Sequence, residues 1–98
     1  MTPKRAEQHQ ADTAFAEGRA SNVTIIRDGK EWYFTFEVPH PTTGEPDVFA
    51  IETQRGELRT WADPRHLVEF LRRRYGLEEA KLKFNEETGN GKNLENSK

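Results

Sequence analysis

Apolar side chains recur at helical spacing between residues 63 and 76. They would form one face of a helix: Leu67, Val68, Phe70, Leu71 and Tyr75. Asp63 can accept hydrogen bonds from the free amides of a first turn, and Pro64 suits the first helical position. Gly76 can adopt the left-handed conformation that ends a helix. The pattern therefore predicts a helix over these residues, with its apolar face turned toward a core.

The chain before this helix shows the period of two that is typical of strands. Residues 23–26 are rich in β-branched side chains, and the Asp28-Gly29 pair that follows favours a hairpin. Residues 31–38 then alternate apolar and polar positions. The apolar set predicted to face the core is Trp32, Phe34, Phe36 and Val38.

Two further strands are predicted between this hairpin and the helix. Residues 47–53 form one strand and residues 58–61 the next, joined by a tight turn in which Gly56 supplies a positive φ. Residues 80–84 alternate Leu82 and Phe84 with lysines and predict an edge strand or an extended clamp. The fold predicted for residues 22–84 is a single α+β domain, an antiparallel β-meander of about four strands with one C-terminal helix packed on one face.

The two ends of the chain are polar. Residues 1–21 carry a weak helical stripe that includes Phe15, and the prediction is a flexible or weakly helical segment. The alternative is a short helix that docks Phe15 on the domain or on a partner. Residues 85–98 have almost no apolar side chain and are predicted to be a disordered tail.

Composition narrows the classes of function. The 98 residues contain no cysteine, and their three histidines lie in separate segments, so no metal or catalytic site is predicted. No phosphate-binding glycine loop or nucleophile motif occurs, and we expect a non-enzymatic protein without a cofactor. No apolar run approaches the ~20 residues that cross a membrane. We therefore expect a cytoplasmic protein that does not contact membrane.

Charge divides the domain into two parts. Residues 21–53 hold two basic and six acidic side chains, a net −4, whereas residues 54–75 hold six basic and three acidic, a net +3. The basic set, a candidate nucleic-acid surface, is Arg55, Arg59, Arg65, Arg72, Arg73 and Arg74. Arginine suits planar, bidentate contact with phosphate, so DNA or RNA is a candidate partner. The alternative is a solvated helix face whose last arginines complement the helix dipole.

Two aromatic residues form a second candidate surface. Tyr33 is out of phase with the core set of its strand, and Trp61 shares its phase with Arg59 on the next hairpin. Exposed aromatic side chains beside arginine could stack bases or anchor a protein partner. The alternative for Trp61 is that it folds over the edge of the core, where strand meets helix.

Residues 49–77 resemble small accessory proteins encoded on plasmids and other mobile elements, some of them near partition genes. The resemblance rests on Ile51-Glu52-Thr53, on Arg55-Gly56-Glu57 and on the helix over residues 67–77. It implies a non-enzymatic role in maintenance or regulation of a mobile element and transfers no catalytic residue.

Two functions follow from these patterns. One is a small accessory or regulatory protein that binds nucleic acid through the basic hairpin and helix. The other is a protein-interaction module or homodimer that acts through the sheet edge or the aromatic face.

Overall fold

A computed structural model describes residues 3–84 of the chain. These residues form an α+β domain with two helices and a five-stranded sheet. The elements in chain order are β1 (Lys4–Ala6), α1 (Gln8–Ala16), β2 (Ser21–Asp28), β3 (Glu31–Pro39), β4 (Pro46–Ile51), α2 (Pro64–Tyr75) and β5 (Lys81–Lys83). The disordered tail predicted over residues 85–98 lies outside the described residues.

The sheet is mixed, with the strand order β1-β4-β3-β2-β5. Its centre, β4-β3-β2, is antiparallel, as the sequence predicts. The predicted pure meander with one helix is nevertheless wrong, because β1 adds parallel to β4 and β5 adds parallel to β2. Parallel neighbours need a long crossover connection, and the two helices occupy the connections that follow β1 and precede β5.

The β2–β3 hairpin has the predicted turn. Asp28 pairs with Glu31, and Gly29 between them has a φ of 65°, which a residue without Cβ adopts readily. Ile25 lies opposite Phe34, and both are buried in the core. The predicted alternation along β3 is therefore confirmed at its centre.

Residues 58–61, predicted as a strand, make only isolated bridges within the described residues. Leu58 bridges Glu52 at one end, and Trp61 exchanges backbone hydrogen bonds of 2.8 and 2.7 Å with Trp32 at the other. The segment crosses from the end of β4 to the start of β3 in four residues. It is therefore too short to form a ladder with either strand.

The N-terminal segment contains a docked helix, which is the alternative that the sequence left open. The backbone amide of Glu7 donates to Gln10 Oε1 at 2.9 Å and helps to cap the start of α1. Ala11 and Ala14 are buried, and Phe15 packs against the core. Small side chains let the helix approach the sheet closely, so its weak apolar stripe is enough to hold it.

Helix α2 has the predicted ends. The backbone amide of Arg65 donates to Asp63 at 2.8 Å, and Gly76 ends the helix with a φ of 67°. Leu67 and Leu71 are the residues of α2 that are buried in the core. Neither helix within residues 3–84 is long and apolar enough to cross a membrane.

Both helices cover the same face of the sheet. The buried core cluster between them and the strands consists of Ala6, Ala11, Val23, Ile25, Phe34, Phe36, Ile51, Leu67 and Leu71. Phe15 of α1 and Phe70 of α2 add rings that pack against Phe36 and Phe34, respectively. Because side chains alternate along a strand, Tyr33 and Thr35 lie on the opposite, outer face.

Candidate functional site

Arg74 forms an ion pair within the domain, with Asp12. Its Nε and Nη2 donate to the two carboxylate oxygens of Asp12 on α1, at 2.9 and 2.7 Å. This hydrogen bonding to Arg74 holds the pKa of Asp12 below its ordinary value of 3.8. Asp12 also accepts a hydrogen bond from Tyr75, and burial raises the pKa of that phenol above its ordinary 10.0. Arg74 therefore joins the two helices.

Three other arginines of the predicted cluster pair with nearby carboxylates. Arg65 donates to both oxygens of Asp63, at 3.2 and 2.9 Å, and its side chain lowers the pKa of Asp63 to about 2. Arg73 donates to Glu69 at 2.8 Å, and Arg72 approaches the same carboxylate at 3.7 Å. The two arginines thus share one negative charge.

Arg59 packs into the aromatic cluster. Its guanidinium lies 4.7 Å from the ring centroid of Trp61 and 5.0 Å from that of Phe70, which is cation–π geometry. The same group donates to Gln8 at the start of α1. Arg55, in contrast, is exposed in the turn after β4 and makes no ion pair within residues 3–84. The six arginines are thus divided among a helix–helix contact, an aromatic contact and exposed positions.

Tyr33 and Trp61 do not share a surface. Trp61 is half-buried and contacts Phe34 and Phe70, at centroid distances of 6.0 and 5.1 Å. It therefore folds over the edge of the core, which is the second of the two predictions made for it. Tyr33 lies on the outer face of the sheet, where a cleft of about 650 Å³ includes Thr24 and Thr35.

The three histidines lie in three separate segments of the chain. His40 Nδ1 accepts a hydrogen bond from the amide of Thr42 at 3.0 Å, within its own loop. His9 lies 3.4 Å from Glu7 on α1, and His66 is exposed on α2. Within residues 3–84, no group of three or more histidine or acidic side chains is placed to hold a metal ion.

The clearest candidate surface is an open groove between α2 and β5, which we call the α2–β5 groove. Its volume is about 650 Å³. Its lining comes from the floor of the sheet, from one side of α2, from the connection after that helix and from β5. The lining residues are Ile25, Trp32, Pro64, Val68, Leu71, Arg72, Leu77, Glu78, Glu79, Ala80, Lys81 and Leu82.

Exposed apolar side chains converge on this groove. Among residues 3–84, three large hydrophobic side chains are exposed: Val68 at 43%, Leu82 at 53% and Phe84 at 63%. Val68 and Leu82 stand on its two walls. Phe84 meets Trp32 edge-on, with centroids 6.4 Å apart and planes 75° apart, and thus extends the apolar surface at the groove. Aromatic and aliphatic side chains are therefore available to a partner at one place.

The sequence predicted one wall of this groove, the edge strand β5, but it did not predict the groove itself. The alternation of Leu82 and Phe84 predicted an edge strand or an extended clamp, and β5 confirms the edge strand. Val68 was predicted on the core face, and its exposure shows that this is wrong. Residues in a helix are about 100° apart, so Val68 lies at the margin of the stripe centred on Leu67 and Leu71. The signal that could have revealed the groove is this excess width of the apolar stripe.

Comparison of the chain with models of protein families, with curated proteins and with solved structures finds no match. The resemblance of residues 49–77 to accessory proteins of mobile elements therefore stays a prediction.

Proposed function

We propose that the protein is a non-enzymatic protein-interaction module whose contact surface is the α2–β5 groove. The observation that carries the proposal is that Val68, Leu82 and Phe84, the exposed large hydrophobic side chains of residues 3–84, gather at this groove. Exposed apolar patches rimmed by polar residues mark interaction sites on proteins. The role that we propose for it is accessory or regulatory, as the resemblance implies, and its proposed location is the cytoplasm.

The groove has the volume of a binding pocket and a floor fixed by the core. Its volume of about 650 Å³ lies within the ~300–1,000 Å³ of typical binding pockets. Its floor contains Ile25 and Leu71, which are held by the core, so the surface is present before a partner binds. A preformed apolar surface lowers the entropic cost of association.

The experiment is a selection of short random displayed peptides against the full chain, repeated with two matched variants. Val68→Asp places a charge on the groove wall, and His66→Asp places the same charge at another exposed position of α2. We expect peptides that bind the parent and His66→Asp but lose affinity for Val68→Asp. Failure to select any peptide, or equal binding to all three proteins, would contradict the proposal. Both changes are at the surface and should alter stability by about 0.5 kcal/mol or less.

Nucleic-acid binding is the second candidate, and the exposure of three arginines favours it. The side chains of Arg65, Arg72 and Arg73 are 88%, 67% and 80% exposed. Exposed ion pairs contribute only ~0–1 kcal/mol, so phosphate oxygens could replace their carboxylate partners.

A mobility-shift assay of the protein with DNA and RNA, at two salt concentrations, tests this second candidate. If it is correct, Arg72→Ala and Arg73→Ala each weaken binding across sequences and lower the salt slope by roughly one unit. The absence of any shift at low salt would exclude it.

A further inference from the structure

The strand β5 ends the sheet beside the α2–β5 groove. Within residues 3–84 it has a neighbouring strand on one side only, which is β2. The open side of an edge strand presents backbone N–H and C=O groups that can pair with another extended chain. The groove therefore has a wall to which a further strand can be added.

The apolar side chains of β5 stand on the face of the sheet that both helices cover. Leu82 pairs with Ile25, which belongs to the buried core. Phe84 lies two residues further along and contacts the ring of Trp32, which packs against the same core. Because side chains two residues apart share a face, Leu82 and Phe84 both stand at the groove.

The basic side chains of β5 stand on the opposite, outer face. Lys81 pairs with Thr24 and Lys83 with Ile26, positions that alternate with the core residue Ile25 of β2. A strand added to β5 would place every second side chain beside these two charges. Acidic side chains are favoured there, since opposite charges on neighbouring strands attract each other and like charges repel.

We infer that the partner of the groove is an extended peptide in which acidic and apolar residues alternate, and that it adds to β5 as a further strand. The inference rests on the proposed function and names the class of its partner. The apolar side chains of the peptide contact Leu82 and Phe84, and its acidic side chains lie beside Lys81 and Lys83. In this mode of binding, main-chain hydrogen bonds supply affinity and the alternate side chains supply specificity.

The division of β5 into two faces disfavours other occupants. With the faces of the two sheets matched, a second β5 would place lysine beside lysine, and lysines on edge strands oppose edge-to-edge association. A helix in the groove could contact Leu82 but would not reach Lys81 on the outer face. An added strand contacts both faces at once.

The other edge strand, β1, has a different pattern. Lys4 pairs with Phe49, whose ring packs against Phe36 of the core, so this lysine stands on the covered face of the sheet. A charge that points inward protects an edge from pairing with another strand. We therefore expect the peptide to add at β5 and not at β1.

Binding of a synthetic peptide of alternating glutamate and valine to the full chain tests the inference. The control peptide has the same composition, with all glutamates first and all valines after them. We expect the alternating peptide to bind about tenfold more tightly. Methyl groups on every second backbone nitrogen should abolish binding in one register and spare it in the other, because only alternate amides of an added strand face β5.

Charge exchange tests the acidic character of the partner. Lys81→Glu should weaken binding of the glutamate–valine peptide by about fivefold and should favour a peptide with lysine in place of glutamate. Arg55→Glu makes the same change of charge at an exposed position in the turn after β4, away from β5, and should behave as the parent does. A merely structural effect of Lys81→Glu would not reverse the preference between the two peptides.

Each remaining outcome has a definite consequence. Selected peptides that require Val68 but tolerate or lose binding equally with either set of methylated amides overturn the added strand and leave the proposed function standing. An undiminished preference of Lys81→Glu for the glutamate peptide overturns the inference as well, because the lysines then do not select the partner. A groove that binds no peptide at all removes both.

Discussion

Asp12 on α1 and Arg74 on α2, 62 positions apart in the sequence, form a two-bonded ion pair with N–O distances of 2.9 and 2.7 Å. The Tyr75 hydroxyl donates to the same carboxylate at 2.7 Å. Beside this pair the ring of Phe15 stacks on Tyr75, with centroids 4.0 Å apart and planes 13° apart. The hydrogen bonds to Asp12 and the stacking of Phe15 on Tyr75 thus hold α1 against the end of α2.

Replacing Asp12 with Asn should reduce the free energy of unfolding by about 1–2 kcal/mol. Hydrogen bonds to a charged group contribute ~1.5–3 kcal/mol, and partial exposure of both side chains reduces this. Chemical denaturation of the variant measures the change. Glu69→Gln is the matched control, because its arginine partners are exposed and its loss should cost about 0.5 kcal/mol or less. Equal stability of Asp12→Asn and the parent would show that the pair does not hold α1.

Stability should fall at both extremes of pH. The pKa of Asp12 is lowered from 3.8, so its contribution is complete above about pH 4 and is lost as pH falls through the folded value. The pKa of Tyr75 is raised from 10.0, chiefly by burial, so its contribution is complete below about pH 10 and is lost as pH rises through the folded value. The free energy of unfolding measured against pH should therefore form a plateau between these limits.

Two variants separate the limbs of this pH profile. Tyr75→Phe should flatten the alkaline limb, because the ring remains and the ionisable hydroxyl is gone. Asp12→Asn should flatten part of the acid limb, and Asp63, whose pKa is about 2, should supply part of what remains. An alkaline limb that is unchanged in Tyr75→Phe would contradict this assignment.

Phe15→Ala should destabilise the domain by about 2–3 kcal/mol. Its ring contacts Tyr75 and Phe36, and the estimate lies below the ~3–5 kcal/mol of a fully buried phenylalanine because Phe15 is half-buried. Thr13→Ala on the exposed side of the same helix is the control, expected within about 0.5 kcal/mol of the parent. Thermal melting would show the difference. If both variants melt together with the parent, α1 does not contribute to the core.

Phe70→Ala should cost about 2–3 kcal/mol in unfolding free energy, because Phe70, like Phe15, is partly buried. The ring of Phe70 packs among Phe34, Trp61 and Tyr75 at centroid distances of 6.2, 5.1 and 5.7 Å, and its removal leaves a cavity between helix and sheet. Val68→Ala is the matched control on the same helix, since Val68 is 43% exposed and little is buried there. Similar denaturation midpoints for the two variants would mean that Phe70 lies outside the cooperative core.

The antiparallel centre and α2 were predictable because local signals agree there. Asp28-Gly29 specifies the hairpin, and Asp63, Pro64 and Gly76 specify the ends of the helix. The edge strands were harder to predict as parts of a mixed sheet. β1 has three residues, too few to show a period of two, whereas the alternation over residues 80–84 does indicate β5. The parallel pairing of both strands depends on where the helices place them.

Pairing between distant residues was the part of the site that the sequence did not show. Six arginines in one segment predicted one basic surface, yet Arg74 meets Asp12 and Arg59 meets Gln8, both on the N-terminal helix. These contacts depend on α1 being docked, which its weak apolar stripe barely indicates. The α2–β5 groove likewise depends on the position of β5 beside β2, which is a property of the sheet order.

The most direct test of the groove uses the two indole N–H resonances of isotope-labelled full-length protein. Trp32 lines the α2–β5 groove, whereas Trp61 packs in the aromatic cluster with Phe34 and Phe70, so each chain carries its own internal control. As selected peptides are added, the Trp32 signal should shift while the Trp61 signal stays nearly constant. A Trp61 signal that moves while Trp32 does not, or two signals that never move, would contradict the account.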